Sequence, residues 1–473
     1  MKRLTIIGFL LMLVLLASTA CKHELGNFPP DNVDVELTST NLPIVWIEVN
    51  GRTIDRYQRI NAHMKIIDNG KGQLNYADLD KHPGQRIDYE GYVALRYRGN
   101  STYNDSPKKP YSFHTLDRHM KYGSKKNVKI LGMGKDYNWA LLAPYSDKSM
   151  MRDLLAWELA RPWMEYTPHG RYCEVFVDGT YYGVYILCEV VSKGKHRLNL
   201  AKPGKHGDAL TGDYLVEVDY DDDVHYLSKY HPVDSSGQAI ASKFIHIQYK
   251  SPDYNDLNQA QLQYINHRID QMEDALASPD FQDPTNGYSH YIDVMSFIDY
   301  QLSMELGHNI DGYRKSCKLY KRRDHVDGRF KTVVWDMNLA YGNCNLREAW
   351  RTDGWIYQSN DLFHAAGEDF LIPFWWTRLN SDENYQRLLR ERWTQYRNSS
   401  LTQEHVMAII DSLAAELTSQ DAIGRNSLAW PRWGVQVWPN YYVSKDFDDE
   451  VSHLKQWLLE RIAWMDEALG YQR

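Results

Sequence analysis

The chain has 473 residues, a formal net charge of −8, 43% hydrophobic residues and 13% aromatic residues. That length exceeds one compact core, so more than one lobe or domain is expected, and the apolar content is ample to fill them. The acidic balance argues against nucleic acid as the main partner, and losing Lys2 and Arg3 with a leader makes it more acidic still.

Lys2 and Arg3 precede an apolar run, Leu4 to Leu16, which leads through Ala17-Ser18-Thr19-Ala20 to Cys21. A charged start, a short apolar stretch and small residues before a cleavage point make residues 1–20 a signal peptide. The run is short of the roughly 20 apolar residues that a membrane-spanning helix needs. A cysteine directly after the small residues is similar to a bacterial lipobox, although Ser18 stands where leucine is usual. The expectation is a lipoprotein anchored to a membrane through Cys21 and exposed outside the cytoplasm. The alternative is an ordinary secreted protein with an incidental Cys21. Residues 21–40, with Pro29 and Pro30, read as a tether.

Strand patterns follow at Leu42–Val49, Asn61–Ile67, Tyr92–Arg98 and Lys109–His114. In the third, apolar and polar residues alternate as in a half-buried strand. Lys148–Glu165 has helical periodicity, with Met151, Leu154, Leu155 and Leu159 on one face. Arg171–Val177 and Thr180–Leu187 read as a hairpin around Asp178-Gly179, and Tyr214–Val218 as a further strand. Helical patterns then dominate: Gln259–Leu276, Tyr291–Leu306, Glu383–Arg397, Thr402–Ser419 and Glu450–Leu469. The expected fold is α+β in two lobes, strand-rich over residues 41–255 and mainly helical over 256–473.

Several chemistries find no support. There is no G-x-x-x-x-G-K-[ST] loop, no H-E-x-x-H and no G-x-S-x-G elbow. Cys173, Cys188, Cys317 and Cys344 lack paired metal-ligand spacing. A Cys173–Cys188 or a Cys317–Cys344 bridge is compatible with the compartment, and buried free thiols are the default. Asp219, Asp221, Asp222 and Asp223 read as a solvated acidic turn, because the spacing of a calcium loop is missing. Trp350, Trp355, Trp375 and Trp376 suit either sugar stacking or a helical core. A glycoside hydrolase has the aromatic residues but no carboxylate pair that can be placed.

The stretch from Gly307 to Asn343 carries the chemistry. Asp311 lies in a polar loop after a helix. Two strands, Cys317–Arg322 and Arg329–Trp335, follow it, the second apolar through Thr332-Val333-Val334-Trp335. Asp336 then stands where a core strand emerges, with Asn338 two residues on, and both offer oxygens to a hard cation. Loop, hairpin and acidic metal loop is the arrangement of catalytic base and metal aspartate in protein-kinase-like phosphotransferases. Asp and Asn after a strand are also ordinary turn formers. Upstream, Arg96 and Arg98 share one face of a strand, a Gly-Asn-Ser turn follows, and Lys108 and Lys109 enter the next strand. Cations beside exposed backbone N–H groups suit a polyphosphate, and they equally suit a solvated edge strand.

In family order, the segments RYRGNSTYNDSPKKPYSFH, NWALLAPYSDKSMMRDLLAWELA, VFVDGTYYGVYILCEVV, GHNIDGYRKSCKLYK and GRFKTVVWDMNLAYGN resemble the CotH family of spore-coat-protein-H-like atypical kinases. The likeness runs from about Leu42 to Leu469, ending in LLERIAWMDEAL. It implies a protein-kinase-like fold with ATP between two lobes, and phosphate transfer to Ser or Thr hydroxyls of secreted or surface proteins. Carried over, Asp311 is the catalytic-loop aspartate and Asp336 the Mg2+ ligand, with Asn338 as second ligand. Arg98, Lys108 and Lys109 would face phosphate, Lys109 in the lysine role, and Glu189 would lie at the hinge. Arg152 or Glu158 would orient that lysine. One departure stands out: Ser316 occupies the position of an asparagine that would bind a second metal. A catalytically weak, pseudokinase-like surface protein acting in adhesion or in glycan or partner binding is therefore the second expectation.

Overall fold

A computed structural model describes residues 35–117 and 123–472. The expected signal peptide, Cys21 and residues 21–34 of the tether lie outside the described residues. Helix makes up 32% and strand 21%, so the content is α+β.

Seven strands close into a barrel: β1 (Ile44–Glu48), β2 (Ile60–Ile67), β3 (Ile87–Tyr97), β4 (Tyr111–Thr115), β5 (Asn138–Leu142), β6 (Gly170–Val177) and β7 (Thr180–Glu189). Their order is β1-β2-β3-β4-β5-β7-β6, and a parallel β6–β1 pairing completes the ring. Closure leaves no open edge to aggregate. Alternation along the strands sends Val45, Met64, Leu95, Phe113, Trp139 and Leu187 into the barrel. Because side chains alternate across a strand, Ala94 and Arg96 of β3 then face outward. The Asp178-Gly179 turn has φ of 46° and 83°, the double left-handed geometry of a tight hairpin. The Asp178 carboxylate also accepts the N–H groups of Val49, Asn50 and Gly51 at 2.7, 3.0 and 2.7 Å. β5 carries no alternating pattern because Trp139, Ala140 and Leu141 are buried on both faces.

Helix α1 spans Arg152–Ala160, shorter than the periodicity predicts. Asp147 accepts the Arg152 N–H at 2.9 Å and sets the start, and Pro162 cannot extend the end.

A second sheet is antiparallel, with strands β8 (Tyr214–Val218), β9 (His225–Leu227), β10 (His246–Ser251), β11 (Cys317–Lys321) and β12 (Lys331–Val333) in the order β9-β10-β8-β11-β12. Strands from either side of residue 255 thus share one sheet. Six further helices follow: α2 (Gln259–Ala277), α3 (Val294–Gly307), which packs on β12, α4 (Glu383–Arg397), α5 (Gln403–Thr418), α6 (Ala422–Ala429), which packs on β7 of the barrel, and α7 (Phe447–Leu469). Asn258 and Gln261 form a reciprocal capping box on α2, and Asp293, Thr402 and Asp446 cap α3, α5 and α7. Trp375 and Trp376 are core residues, with Trp376 stacked on Phe297 and Tyr300. All four described cysteines are buried and unpaired. No helix among the described residues is long and apolar enough to cross a membrane.

Arg152 ties these parts together. Fully buried, it donates to Asp147, to Glu450 of α7 at 2.9 Å, and to the Ala340 carbonyl at 3.1 Å. Removing one partner of such a group leaves uncompensated buried charge. Arg152→Leu is expected to lower stability by about 3–5 kcal/mol in denaturant titration. Adding Glu450→Leu should cost less than the two single changes summed, as contacting sites are non-additive.

Candidate active site

The second sheet builds the site at one of its ends. In the antiparallel register Val218 opposes Cys317, and Lys318 opposes Val333. Asp219 leaving β8, Ser316 entering β11 and the Trp335-Asp336 pair after β12 therefore emerge together. Asp311, in the loop between α3 and β11, joins them on the wall of one cleft of about 870 Å³. That volume lies in the range of ligand pockets.

Two of these residues hold left-handed backbone. Ser316 has φ 53° and Asp336 has φ 61°, and the Ser316 hydroxyl donates to Asp336 Oδ2 at 3.0 Å. Non-glycine residues in this region carry strain, which concentrates at functional sites. The Asp336 carboxylate opens onto the cleft yet is walled in by protein. That enclosure and the Asp311 charge raise its pKa, opposed by the Ser316 hydrogen bond and Arg98. Asp311 behaves oppositely: enclosure alone would raise its pKa, but Lys315 and Arg314 outweigh it and hold the carboxyl below the usual range. Arg314 Nη2 lies 3.2 Å and Lys315 Nζ 3.5 Å from Asp311 Oδ1. Arg314 is itself fixed by Glu368 and the Phe370 carbonyl, at 3.0 and 2.9 Å.

Other charged residues of the site carry no motif in the sequence. Asp153 of α1 accepts the Met337 N–H at 2.8 Å and so braces the loop that carries Asp336 and Asn338. Burial and the nearby Asp336 charge push its pKa up to about 7. Cross-strand Glu217 pairs with Lys318 and, at 3.2 Å, with Lys250. Burial opposes its ionisation, but the two lysines keep its carboxyl below the usual range. Asp219, read from sequence as part of a solvated turn, lines the cleft, and burial and Glu217 raise its pKa. The alternation of Asp153 with apolar Leu154 and Leu155 gives no sign that its carboxylate faces a cleft.

Arg98 faces Asp336 from the barrel side, its guanidinium 5.3 Å from the Trp335 ring, with Nη1 buried and without a partner. Such an atom needs an acceptor. Lys108, Lys109 and Glu189 are placed elsewhere, correcting the expectation that they face a ligand. Lys108 is fully buried and donates to the Asn426 side chain at 2.9 Å and to the Val184 carbonyl. Lys109 donates to the Tyr103 carbonyl at 2.5 Å. Pro110 lines the cleft, and the preceding side chain points to the opposite face of the strand. Glu189 is buried against Arg197 and His169. The next three residues, Val190, Val191 and Ser192, line the cleft instead. Glu158 is exposed and pairs with Arg161 at 2.7 Å, and Arg152 serves the buried network described above.

The donor set suits a hard cation. Asp336 Oδ1 and the Asn338 side chain take no hydrogen bond among the described residues, and Ser316 adds a hydroxyl. No group of three or more His, Cys, Asp or Glu that could hold a metal occurs among the described residues. A cation here would need phosphate oxygens or water to complete its shell, which is the habit of Mg2+.

Asp153 supplies a pH test. With a folded pKa near 7 against about 3.9 in the unfolded chain, the native state holds more protons between those values, so stability falls as pH rises through that window. Asp153→Asn keeps an acceptor for Met337 and removes the titration. With chelator present, the melting temperature of the variant relative to wild type is expected to rise from pH 4 to pH 8. A constant difference would show that Asp153 ionises normally.

No curated protein sequence matches the chain. The family model described as CotH kinase protein matches residues 95–465, from within β3 to the last turns of α7, a span that includes Arg98, Asp153, Asp311 and Asp336. The chain belongs to the CotH kinase protein family.

Proposed function

We propose that the chain is a CotH-type kinase that transfers the γ-phosphate of ATP to a Ser or Thr hydroxyl of a surface or secreted protein. The observation that carries this reading is the convergence of Asp311 and Asp336 on one cleft, with the unpartnered Arg98 opposite. In this reading the barrel acts as the smaller lobe and the helical part as the larger. The nucleotide lies between them, along the Val190–Ser192 segment.

Asp311, held as a carboxylate by Lys315 and Arg314, accepts the proton of the acceptor hydroxyl. The acceptor oxygen bonds to the γ-phosphorus, the bond from that phosphorus to the β–γ bridging oxygen breaks, and ADP leaves. Asp336, Asn338 and Ser316 would hold a magnesium ion, which would supply neutralisation of the phosphate charge. Arg98 donates to phosphate oxygens, where its unpartnered Nη1 finds acceptors. The signal-peptide pattern and Cys21 support a membrane-anchored lipoprotein acting outside the cytoplasm.

Ser316 favours a second reading, a catalytically weak surface lipoprotein that binds a partner or glycan. Its hydroxyl stands in place of an amide and is already engaged with Asp336.

Thermal unfolding of the detergent-solubilised chain separates the two. Mg-ATP at a hundredfold excess over Kd is expected to add about 2.7 kcal/mol of stability, and Asp336→Ala should abolish the gain. No shift at millimolar Mg-ATP would overturn the kinase reading. Ser316→Asn should tighten Mg-ATP binding at little cost in stability, since asparagine tolerates left-handed backbone. Weaker binding in that variant would mean that the serine hydroxyl is itself the better ligand.

A further inference from the structure

The nucleotide reading uses one arginine of the cleft and leaves three. Arg56, Arg59 and Arg96 line the same cleft, and none makes an ion pair among the described residues. Their hydrogen bonds go to neutral oxygens. Arg56 reaches the side-chain oxygens of Asn104 and Asn100 at 3.4 and 3.3 Å. Arg59 donates to the Ala94 and Ser112 carbonyls at 3.1 and 2.8 Å and to the Ser112 hydroxyl at 2.8 Å. Arg96 has a single long contact, 3.5 Å to the Tyr57 carbonyl, and its Nε is buried without a partner.

The register explains why these charges crowd. Arg96 opposes Ser112, and Ala94 opposes His114, on the outer face of the β3–β4 pair. Arg59 lies across that row, bound to the backbone of both strands. Burial and Arg96 together lower the Arg59 pKa to about 10, and burial and Arg98 lower that of Arg96. His114, facing Arg59, Lys125 and Arg96, stays neutral, its pKa driven down to about 3 by burial and those charges. Among the carboxylates on the other wall, Glu217 and Asp311 are already matched by lysines or arginines of their own. Asp219, Asp222, Asp223 and Asp253 also line the cleft and make no ion pair among the described residues, so the surplus positive charge belongs to the barrel wall's own arginines and not to the cleft as a whole. Arg56 and Arg59 also lie before residue 95, where the family match begins.

Guanidinium groups without carboxylate partners suit phosphate oxyanions, which they bind in paired N–H···O contacts. A cleft of about 870 Å³ leaves room beside a nucleotide. We propose that Arg56, Arg59 and Arg96 form a second oxyanion subsite on the barrel wall, beside the nucleotide position. It binds a phosphate group borne by the acceptor or by a phosphate chain longer than that of ATP. The proposal takes its neighbour from the kinase reading but is built from residues that reading does not use.

The test is calorimetric titration of the full-length chain in detergent. The probes are inorganic tripolyphosphate and a phosphoserine peptide with its unphosphorylated control, each with and without a saturating non-hydrolysable Mg-ATP analogue. A phosphate probe is expected to bind with the analogue in place. Arg96→Gln should weaken it about tenfold or more, the scale of one charge-assisted hydrogen bond. Arg96→Lys should retain most of the affinity, and the analogue itself should change less than about threefold in either variant. Arg96 makes only one long contact, so unchanged melting of both variants is the folding control. Which probe binds identifies the source of the phosphate. The subsite is overturned if the probes displace the analogue one for one, bind wild type and Arg96→Gln equally, or fail to bind folded protein. If the analogue does not bind while tripolyphosphate binds in an Arg96-dependent way, the kinase reading falls and the subsite stands.

Discussion

The site depends on one buried cation. Arg152 sits at the start of α1 with no access to water, and its donors are divided among Asp147, Glu450 and the Ala340 carbonyl. A buried ion network of this kind is weak evidence for net stability, because desolvation offsets most of the attraction. Its effect is positional. It ties α1, the C-terminal helix α7 and the loop after β12 into one arrangement, and the next residue, Asp153, holds the Met337 N–H of that loop. The two residues flanking Met337, Asp336 and Asn338, are thereby presented to the cleft.

The rest of the cleft is organised by separating charge. The sheet end contributes carboxylates, some matched by Lys315, Arg314, Lys318 and Lys250, while Asp336 keeps an oxygen unbonded. The barrel wall contributes arginines without acidic partners. Each wall alone is unfavourable in the low dielectric of a walled cleft. The left-handed Ser316 and Asp336 add strain to the same spot. An anionic ligand with a divalent cation would relieve both walls at once, placing cation against carboxylate and oxyanion against guanidinium.

The legible part of this site was local. Asp311, Asp336, Asn338 and Ser316 sit in loops bounded by clear strands, so their convergence follows once β11 and β12 pair. Lys109 failed for a reason of phase: it directly precedes Pro110, and that offset of one position turns its side chain from the cleft toward Tyr103. Lys108 failed because its partner, Asn426, lies far along the chain. Glu189 shares the phase of Leu187, which points into the barrel, and so it meets Arg197 rather than a ligand. β10 was not among the expected strands, although Ile247 and Tyr249 alternate with polar residues there. Nor was β5, being buried on both faces.

The amino-acid sequence by itself determined most of the longer elements, the hairpin at Asp178-Gly179 and the loops that carry Asp311 and Asp336, because turn chemistry and periodicity act over a few residues. Only the tertiary structure decided that β1 to β7 close on themselves while β8, β9 and β10 share a sheet with β11 and β12. It alone decided that Asp153 supports the loop after β12, and that Arg56, Arg59 and Arg96 stand together without acidic partners. Those outcomes depend on strand register and on contacts between distant segments. No local pattern encodes which of two cations will be buried and which will face a ligand.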